Sequence, residues 1–290
     1  MKPVEIVTIR LHRGRSLQRI SYWNYNESMT WTLIIPAFGG WFAGLVVNYL
    51  ADVLPMTRSL SRPACQQCDL AFSPLEYSLL RPCRNGHARS VRTWITQLVL
   101  VLASLYIWVT PPDRLGYVLG LIVITYFGLV FVIDLEHRLI LHPTSIFGGI
   151  LGLVVGLLAH KLTATLAGGL SGLAIMLFFY FLGTLFARFR SKRMAAAGQE
   201  PDDEEALGAG DVILVTILGL MLGWPLIWFG LLFGILLGGA VSLLIVLWLV
   251  MSRRYGTNAL MYFIPYGPYF IASAYLIIFF PRWLAMIVPD

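Results

Sequence analysis

Charged residues are scarce in this sequence. They make up 12% of its 290 residues, whereas ordinary soluble domains contain about 25%. Hydrophobic residues make up 58%, which is more apolar surface than a soluble protein of this size can bury in one core. The composition therefore excludes a soluble globular protein and predicts an all-α, polytopic integral membrane bundle.

The first 29 residues lack an apolar segment of spanning length. A secretory signal would have its apolar core and cleavage site in this window, so we expect a polar N-terminal tail over residues 1–29 instead. The rest of the chain contains eight apolar runs, each near the roughly 20 residues that cross a bilayer. They fall near 31–54, 94–110, 115–133, 144–160, 164–187, 209–224, 225–251 and 265–287. We therefore predict about eight transmembrane helices: the first over 30–55, then a cysteine-rich loop over 56–93, then a seven-helix core over 94–290.

Lysine and arginine are distributed unevenly among the loops. Of the 21 in the chain, 13 lie in one alternating set of loops, at 56–93, 134–143, 188–207 and 252–264. Cytoplasmic loops carry the excess of positive charge in membrane proteins. We therefore expect this set to face the cytoplasm and both termini to lie outside. The net charge of +6 is explained by topology and does not indicate nucleic-acid binding.

Two aspartates stand at the ends of apolar runs. Asp134 follows one run, and Asp211 precedes another. A carboxylate costs about 3 kcal/mol near the centre of a membrane helix, so such residues are functional candidates. Gly208 and Gly210 remove side chains beside Asp211 and let another backbone approach. The predicted topology brings both acids to the same face, as the catalytic pair of a membrane aspartyl protease requires.

Two other interpretations of these acids remain open. Each aspartate can simply cap a helix or meet the headgroup region. Alternatively, the protein is a proton- or ion-coupled carrier whose aspartates bind the ion. A carrier is expected to hold its acids near the middle of the bilayer and to show repeated halves, and no repeat is visible here. A third acid, Asp52, is expected to lie at the interface and to pair with Arg58.

The loop at 56–93 contains all three cysteines. Its ligand pattern is a C-x2-C pair followed by a C-x3-H pair, formed by Cys65, Cys68, Cys83 and His87. This spacing is typical of tetrahedral zinc sites. Disulfides are not expected on the cytoplasmic side. We predict a structural zinc site, and reduced thiols without a metal are the alternative.

The ordered motifs of the chain resemble those of the type IV prepilin peptidases. Residues 208–211, Gly-Ala-Gly-Asp, are similar to that family's Gly-x-Gly-Asp motif, and residues 133–140 resemble its first aspartate motif. Residues 264–269 are similar to the family's Ile-Pro-Phe-Gly-Pro segment, and Asn48 and Pro55 match residues that close its first helix. In addition to the two aspartates, the motif residues are Gly208, Gly210, Pro265 and Gly267.

The resemblance implies an aspartic endopeptidase of the bacterial inner membrane. Its expected substrates are prepilins or pseudopilins, which serve type IV pilus assembly or protein secretion, and whose basic leader is cut off at the cytoplasmic face. The resemblance also implies N-methylation of the product with S-adenosylmethionine. That activity follows from the resemblance alone, because no nucleotide-binding glycine fingerprint occurs and Gln97 stands where the family has a glutamate. The acidic run at 202–205 is a candidate for attracting a basic leader.

Overall fold

A computed structural model describes residues 25–196, 208–252 and 265–281, and the side chains of 32–192, 208–252 and 265–281. Helices account for most of these residues: α1 Tyr25–Thr57, α2 Pro74–Ser78, α3 Val91–Val109, α4 Gly116–His137, α5 His142–Ala159, α6 Leu162–Ala196, α7 Ala209–Leu222, α8 Leu226–Met251 and α9 Gly267–Phe279. The described ranges contain no β-strand, and a single antiparallel bridge joins Ala64 to Ala71. Residues 1–24 of the predicted N-terminal tail and the acidic run at 202–205 lie outside the described residues.

The predicted polytopic, all-α class is confirmed. Six helices in the described ranges are long and apolar enough to cross a membrane: α1, α3, α4, α5, α6 and α8. The other two predicted spans correspond to α7 and α9, which have 14 and 13 residues. Eight apolar helices thus follow the predicted order, but two of them are shorter than the roughly 20 residues of a full span.

α4 extends further than the apolar run from which it was predicted. The run ends at Ile133, whereas the helix continues to His137. It ends because Arg138 takes a left-handed conformation, with φ 53°, and its N–H donates to Asp134 O at 2.9 Å. Asp134 therefore lies in the last turn of the helix and not in the loop after it.

α7 is the helix around which the C-terminal helices pack. It contacts α5, α6, α8 and α9, and most of its side chains are buried. Its most extensive contact is with α6, where Gly168 faces Gly219. A Cβ on either glycine would collide with the backbone carbonyl of the other. Lipid tails are as apolar as the side chains of membrane helices, so hydrophobic burial does not drive these helices together. Close packing does so instead, and small residues allow it because they let two backbones approach.

A buried polar cluster joins α1 to α3. Asn48 is completely buried, and its Nδ2 donates to Thr93 O at 3.2 Å and to Gln97 Oε1 at 3.5 Å. Gln97 Nε2 in turn donates to Trp41 O at 2.7 Å. Buried amides need such partners, so these contacts fix how α1 sits against α3. Because α1 precedes the cysteine-rich loop and α3 follows it, the same contacts fix the positions of both ends of the loop.

Gly219→Ala is expected to destabilise the bundle. The added methyl group would overlap the carbonyl of Gly168, and overpacking of this kind costs about 1–3 kcal/mol. Thermal unfolding in detergent, followed by circular dichroism, should show a lower Tm. Gly149→Ala on α5 is the control, because nothing lies within 4 Å of its added Cβ. Equal Tm values for the two variants would contradict the proposed packing.

Candidate active site and metal centre

Asp134 is a buried acid at one end of the bundle. It lies in the last turn of α4 and is only 5% exposed. Its Oδ2 atom has no hydrogen-bond partner within the described part of the chain. Buried polar atoms are normally satisfied, and exceptions call for an explanation such as a catalytic role.

Asp211 approaches the same region from α7. It lies in the first turn of that helix, is half-buried, and donates its backbone N–H to Gly208 O at 3.1 Å. Gly210 packs against Ile140, in the connection that follows α4, and an added Cβ would lie 3.0 Å from Ile140 Cβ. The missing side chain at position 210 therefore lets the Gly-Ala-Gly-Asp segment contact the residues just after Asp134.

The third motif meets the other two through Gly267. This glycine begins α9, which contacts both α4 and α7. A Cβ added there would collide with Asp134 Oδ2 and would lie 3.3 Å from Leu214 Cδ2 in α7. Only glycine leaves room for the Asp134 carboxyl at this point. Pro265 lies two residues before α9 and is half-buried.

The structure thus brings together the residues that sequence motifs identified separately. Asp134 and Asp211 are near enough to interact electrostatically. Gly210 and Gly267 have packing reasons to be glycine, whereas an added Cβ at Gly208 would meet Asp211 Oδ2 at an ordinary 3.7 Å. Packing therefore does not explain Gly208.

A second group of functional candidates lies in the loop between α1 and α3. The ligand atoms of Cys65, Cys68, Cys83 and His87 all lie within 4.8 Å of one another. Cys68 Sγ is 3.4 Å from Cys83 Sγ, and Cys65 Sγ is 3.7 Å from His87 Nδ1. Ligand atoms of a tetrahedral zinc site stand roughly 3.5–3.8 Å apart, given Zn–S near 2.3 Å and Zn–N near 2.0 Å. The four predicted ligands therefore fit a zinc ion in both donor type and spacing.

The backbone near these ligands favours metal binding. Asp69 N–H donates to Cys65 O, and Gly86 N–H donates to Cys83 O, each at 2.8 Å, so each pair of ligands is carried on a tight turn. A hydrogen bond from the Gln67 backbone lowers the pKa of the Cys65 thiol to about 6, and His87 acts in the same direction. A lower pKa favours the thiolate, which is the form that binds metals.

Asp52 connects the cysteine-rich loop at 56–93, which carries the candidate metal ligands and is called the metal loop below, to the membrane helices. It accepts a hydrogen bond from Tyr77 Oη at 2.7 Å and forms an ion pair with Arg92, at the start of α3. The expected pairing with Arg58 is wrong: Arg58 is exposed, in a left-handed conformation after α1. Burial, together with the charge of Asp52, raises the pKa of Tyr77 well above its usual value, so the hydroxyl stays a donor.

The contacts continue from Arg92 to α4. Arg92 Nε lies 3.2 Å from Glu136 Oε1, an ion pair whose angle falls outside hydrogen-bond geometry. Glu136 is two residues from Asp134, so the loop, α3 and the end of α4 form one connected region. Sequence reasoning missed Arg92 and Tyr77, because both partners of Asp52 are distant in the chain, Arg92 by 40 residues and Tyr77 by 25.

Comparison with known proteins gave one family match. Residues 121–243 match the family model of the type IV leader peptidase family. The matched segment includes Asp134 and Asp211 but neither the metal loop nor α9, and it confirms the family resemblance inferred from the motifs. Comparison with curated proteins gave no match, and neither did comparison with solved structures.

Elemental analysis of the purified protein is expected to find about one zinc per chain. Cys65→Ser combined with Cys83→Ser should abolish this zinc, because two of the four ligands are then lost. Gln66→Ser is the matched control: it changes an exposed residue of the same loop and should leave the zinc content unchanged. A double variant that kept its zinc would show that these residues do not hold it.

Proposed function

We propose that this chain, whose residues 121–243 match the model of the type IV leader peptidase family, is a membrane aspartic endopeptidase that uses Asp134 and Asp211 as its catalytic pair. The observation that carries the proposal is the meeting of three separate motifs around the buried carboxyl of Asp134. Gly210 packs beside the segment after Asp134, and Gly267 packs against the carboxyl itself.

The proposed hydrolysis uses the two carboxyls as one unit. Two neighbouring carboxyls hold one proton between them, because like charges at short range cannot both ionise easily. The ionised carboxyl takes a proton from water, and the water oxygen attacks the carbonyl carbon of the scissile bond. The protonated carboxyl donates to the carbonyl oxygen. The intermediate then breaks its C–N bond as the nitrogen takes the proton held by the first carboxyl, and the hydroxyl proton returns to the second. The base and the acid are not assigned, since coupled groups titrate as a pair.

The expected substrate is a prepilin or pseudopilin. Its hydrophobic helix would lie in the bilayer, and its basic leader would lie in the cytoplasm. The scissile bond would then lie at the end of the bundle where α4 ends and α7 begins, and where Asp134 and Asp211 stand. A carrier function receives less support, because both acids lie in terminal helical turns and a carrier is expected to hold them near mid-bilayer.

Methylation of the product, with S-adenosylmethionine as donor, remains an expectation from the resemblance. Gln97, which aligns with the family's glutamate, is buried, and both ends of its amide are engaged, by Trp41 and Asn48. These contacts explain Gln97 as a packing residue and give no support for a methyl-donor site there. The proposed function is therefore restricted to peptide hydrolysis.

Asp134→Asn and Asp211→Asn should each reduce prepilin cleavage by at least about 1,000-fold, since each removes one half of a unit. The double variant should be no slower than either single variant, because the effects of such groups are not additive. Cleavage is measured by mass spectrometry of a purified prepilin. Asp113→Asn, an exposed acid between α3 and α4, is the control and should cleave normally. Near-normal cleavage by either single variant would exclude the pair.

Gly267→Ala should also impair cleavage, through displacement of the Asp134 carboxyl. The change adds one methyl group where Asp134 Oδ2 lies, and a displacement near 1 Å can cost about 100-fold in turnover. We expect kcat to fall and KM to change little. Gly239→Ala on α8 is the control, because its added Cβ meets nothing within 4 Å. Equal kcat values for the two variants would show that α9 does not position Asp134.

A further inference from the structure

A cavity with polar walls lies between the cysteine-rich loop at 56–93 and the ends of the membrane helices. It has a volume of about 100 Å³ and is lined by residues from α1, the loop and the start of α3, among them Asp52, Phe72, Arg89 and Arg92. Neither Asp134 nor Asp211 lines it. One water molecule needs only about 10–15 Å³ of such space, so the cavity can accept a larger group.

Arg89 and Arg92 both line this cavity, and several of their donor atoms lack an acceptor among the described residues. Arg89 Nε, Arg89 Nη2 and Arg92 Nη1 are buried and have no acceptor in the part of the chain that the structure describes. The guanidinium carbon of Arg89 lies over two aromatic rings, 3.8 Å from the centroid of Phe72 and 4.3 Å from that of Tyr77. These contacts hold the guanidinium group in place but leave its Nε and Nη2 donors without hydrogen-bond acceptors from the described residues.

The charges around the cavity leave Arg89 without a partner. Among the described residues, Arg92 is paired with Asp52 and Glu136, whereas no ion pair involves Arg89. Asp52 is the acid that lines the cavity, and its oxygens already accept from Tyr77 and Arg92. Cys65 and His87, two of the candidate zinc ligands, also line the cavity, and a bound zinc would offset two of the three thiolate charges. The N-terminus of α3, capped by Ser90, adds a partial positive charge.

We propose that this cavity binds a phosphate group through Arg89 and Arg92. Guanidinium groups donate pairs of coplanar hydrogen bonds, and these pairs match the oxygens of a phosphate. Among the described residues, the two arginines have three donor atoms with neither an acceptor nor an ion-pair partner, whereas a carboxylate has only two oxygens, so a phosphate matches the donors better. The cavity lies beside the last turns of α1 and the first turn of α3, where a membrane protein meets lipid headgroups. The phosphate belongs either to an anionic lipid headgroup or to a free ion, and the same donors bind both.

The test measures binding to the full-length protein in neutral detergent, with the Tm as readout. One arm adds inorganic phosphate, against sodium chloride at the same ionic strength. The other arm adds phosphatidylglycerol to the micelles, against phosphatidylcholine. The wild-type Tm should rise in at least one arm, and the half-saturating concentration gives the affinity. A rise with phosphatidylglycerol alone identifies a lipid headgroup, and a rise in both arms shows that phosphate itself is sufficient.

Arg89→Gln should weaken this binding by at least about tenfold, because it removes the unpaired guanidinium. Arg84→Gln is the matched control: it makes the same charge change in the same loop, at a side chain that is 66% exposed and paired with Glu76. It should bind as wild type does. Zinc content, measured in each variant, checks that the loop is folded. If Arg89→Gln loses zinc, Arg89→Lys takes its place, and weakening is again expected because an ammonium group lacks paired planar donors.

Three results would overturn the proposal. They are a wild-type Tm that neither probe changes, equal affinities in wild type and Arg89→Gln, and an equal loss in Arg84→Gln. The last result would mean that net charge alone attracts the anion. The readout does not depend on peptide cleavage, so failure here would leave the proposed peptidase function untouched.

Discussion

The main constraint on this structure is the free-energy cost of holding a carboxyl inside an apolar bundle. Asp134 is buried in the last turn of α4 with one oxygen unsatisfied, and a second carboxyl, Asp211, stands near it. Both the unsatisfied oxygen and the nearby second carboxyl would be costly in lipid without the support of neighbouring helices. The surrounding helices must therefore fix both acids by packing, since hydrogen bonds from the described residues do not satisfy Asp134 Oδ2.

Glycine supplies that packing. Where Gly168 meets Gly219, α6 and α7 touch through their backbones, and this contact fixes the helix that carries Asp211. Where Gly267 meets Asp134, α9 reaches the acid of α4 while also contacting α7. The first contact orders the scaffold and the second orders the site. A single methyl group would force two helices apart at the first contact and would displace the Asp134 carboxyl at the second.

Local patterns in the sequence were sufficient to find the two acids and the four residues that the structure brings together as candidate metal ligands. Asp134 and Asp211 are conspicuous as charges at the ends of apolar runs, and the four candidate ligands occur in two short, regularly spaced pairs. The contact between Gly267 and Asp134 could not be derived in this way, because it depends on how α9 packs against α4. The same holds for the Asp52–Arg92 pair: the two residues are 40 positions apart, and no local rule prefers Arg92 over the nearer Arg58. The end of α4 was misplaced because hydrophobicity marks where a run stops, while the helix continues for another turn.

The short length of α7 has a consequence for the solvent around the acids. A helix of 14 residues extends about 21 Å at 1.5 Å per residue, whereas the hydrocarbon layer of a bilayer is about 30 Å thick. If the far end of α7 reaches one headgroup layer, Asp211 stops well short of the other. Mismatch of this kind is relieved when the bilayer becomes thinner or when water enters beside the helix. Either response would wet the carboxyls from one side, so the water needed for the proposed hydrolysis would reach them without a pore through the bundle.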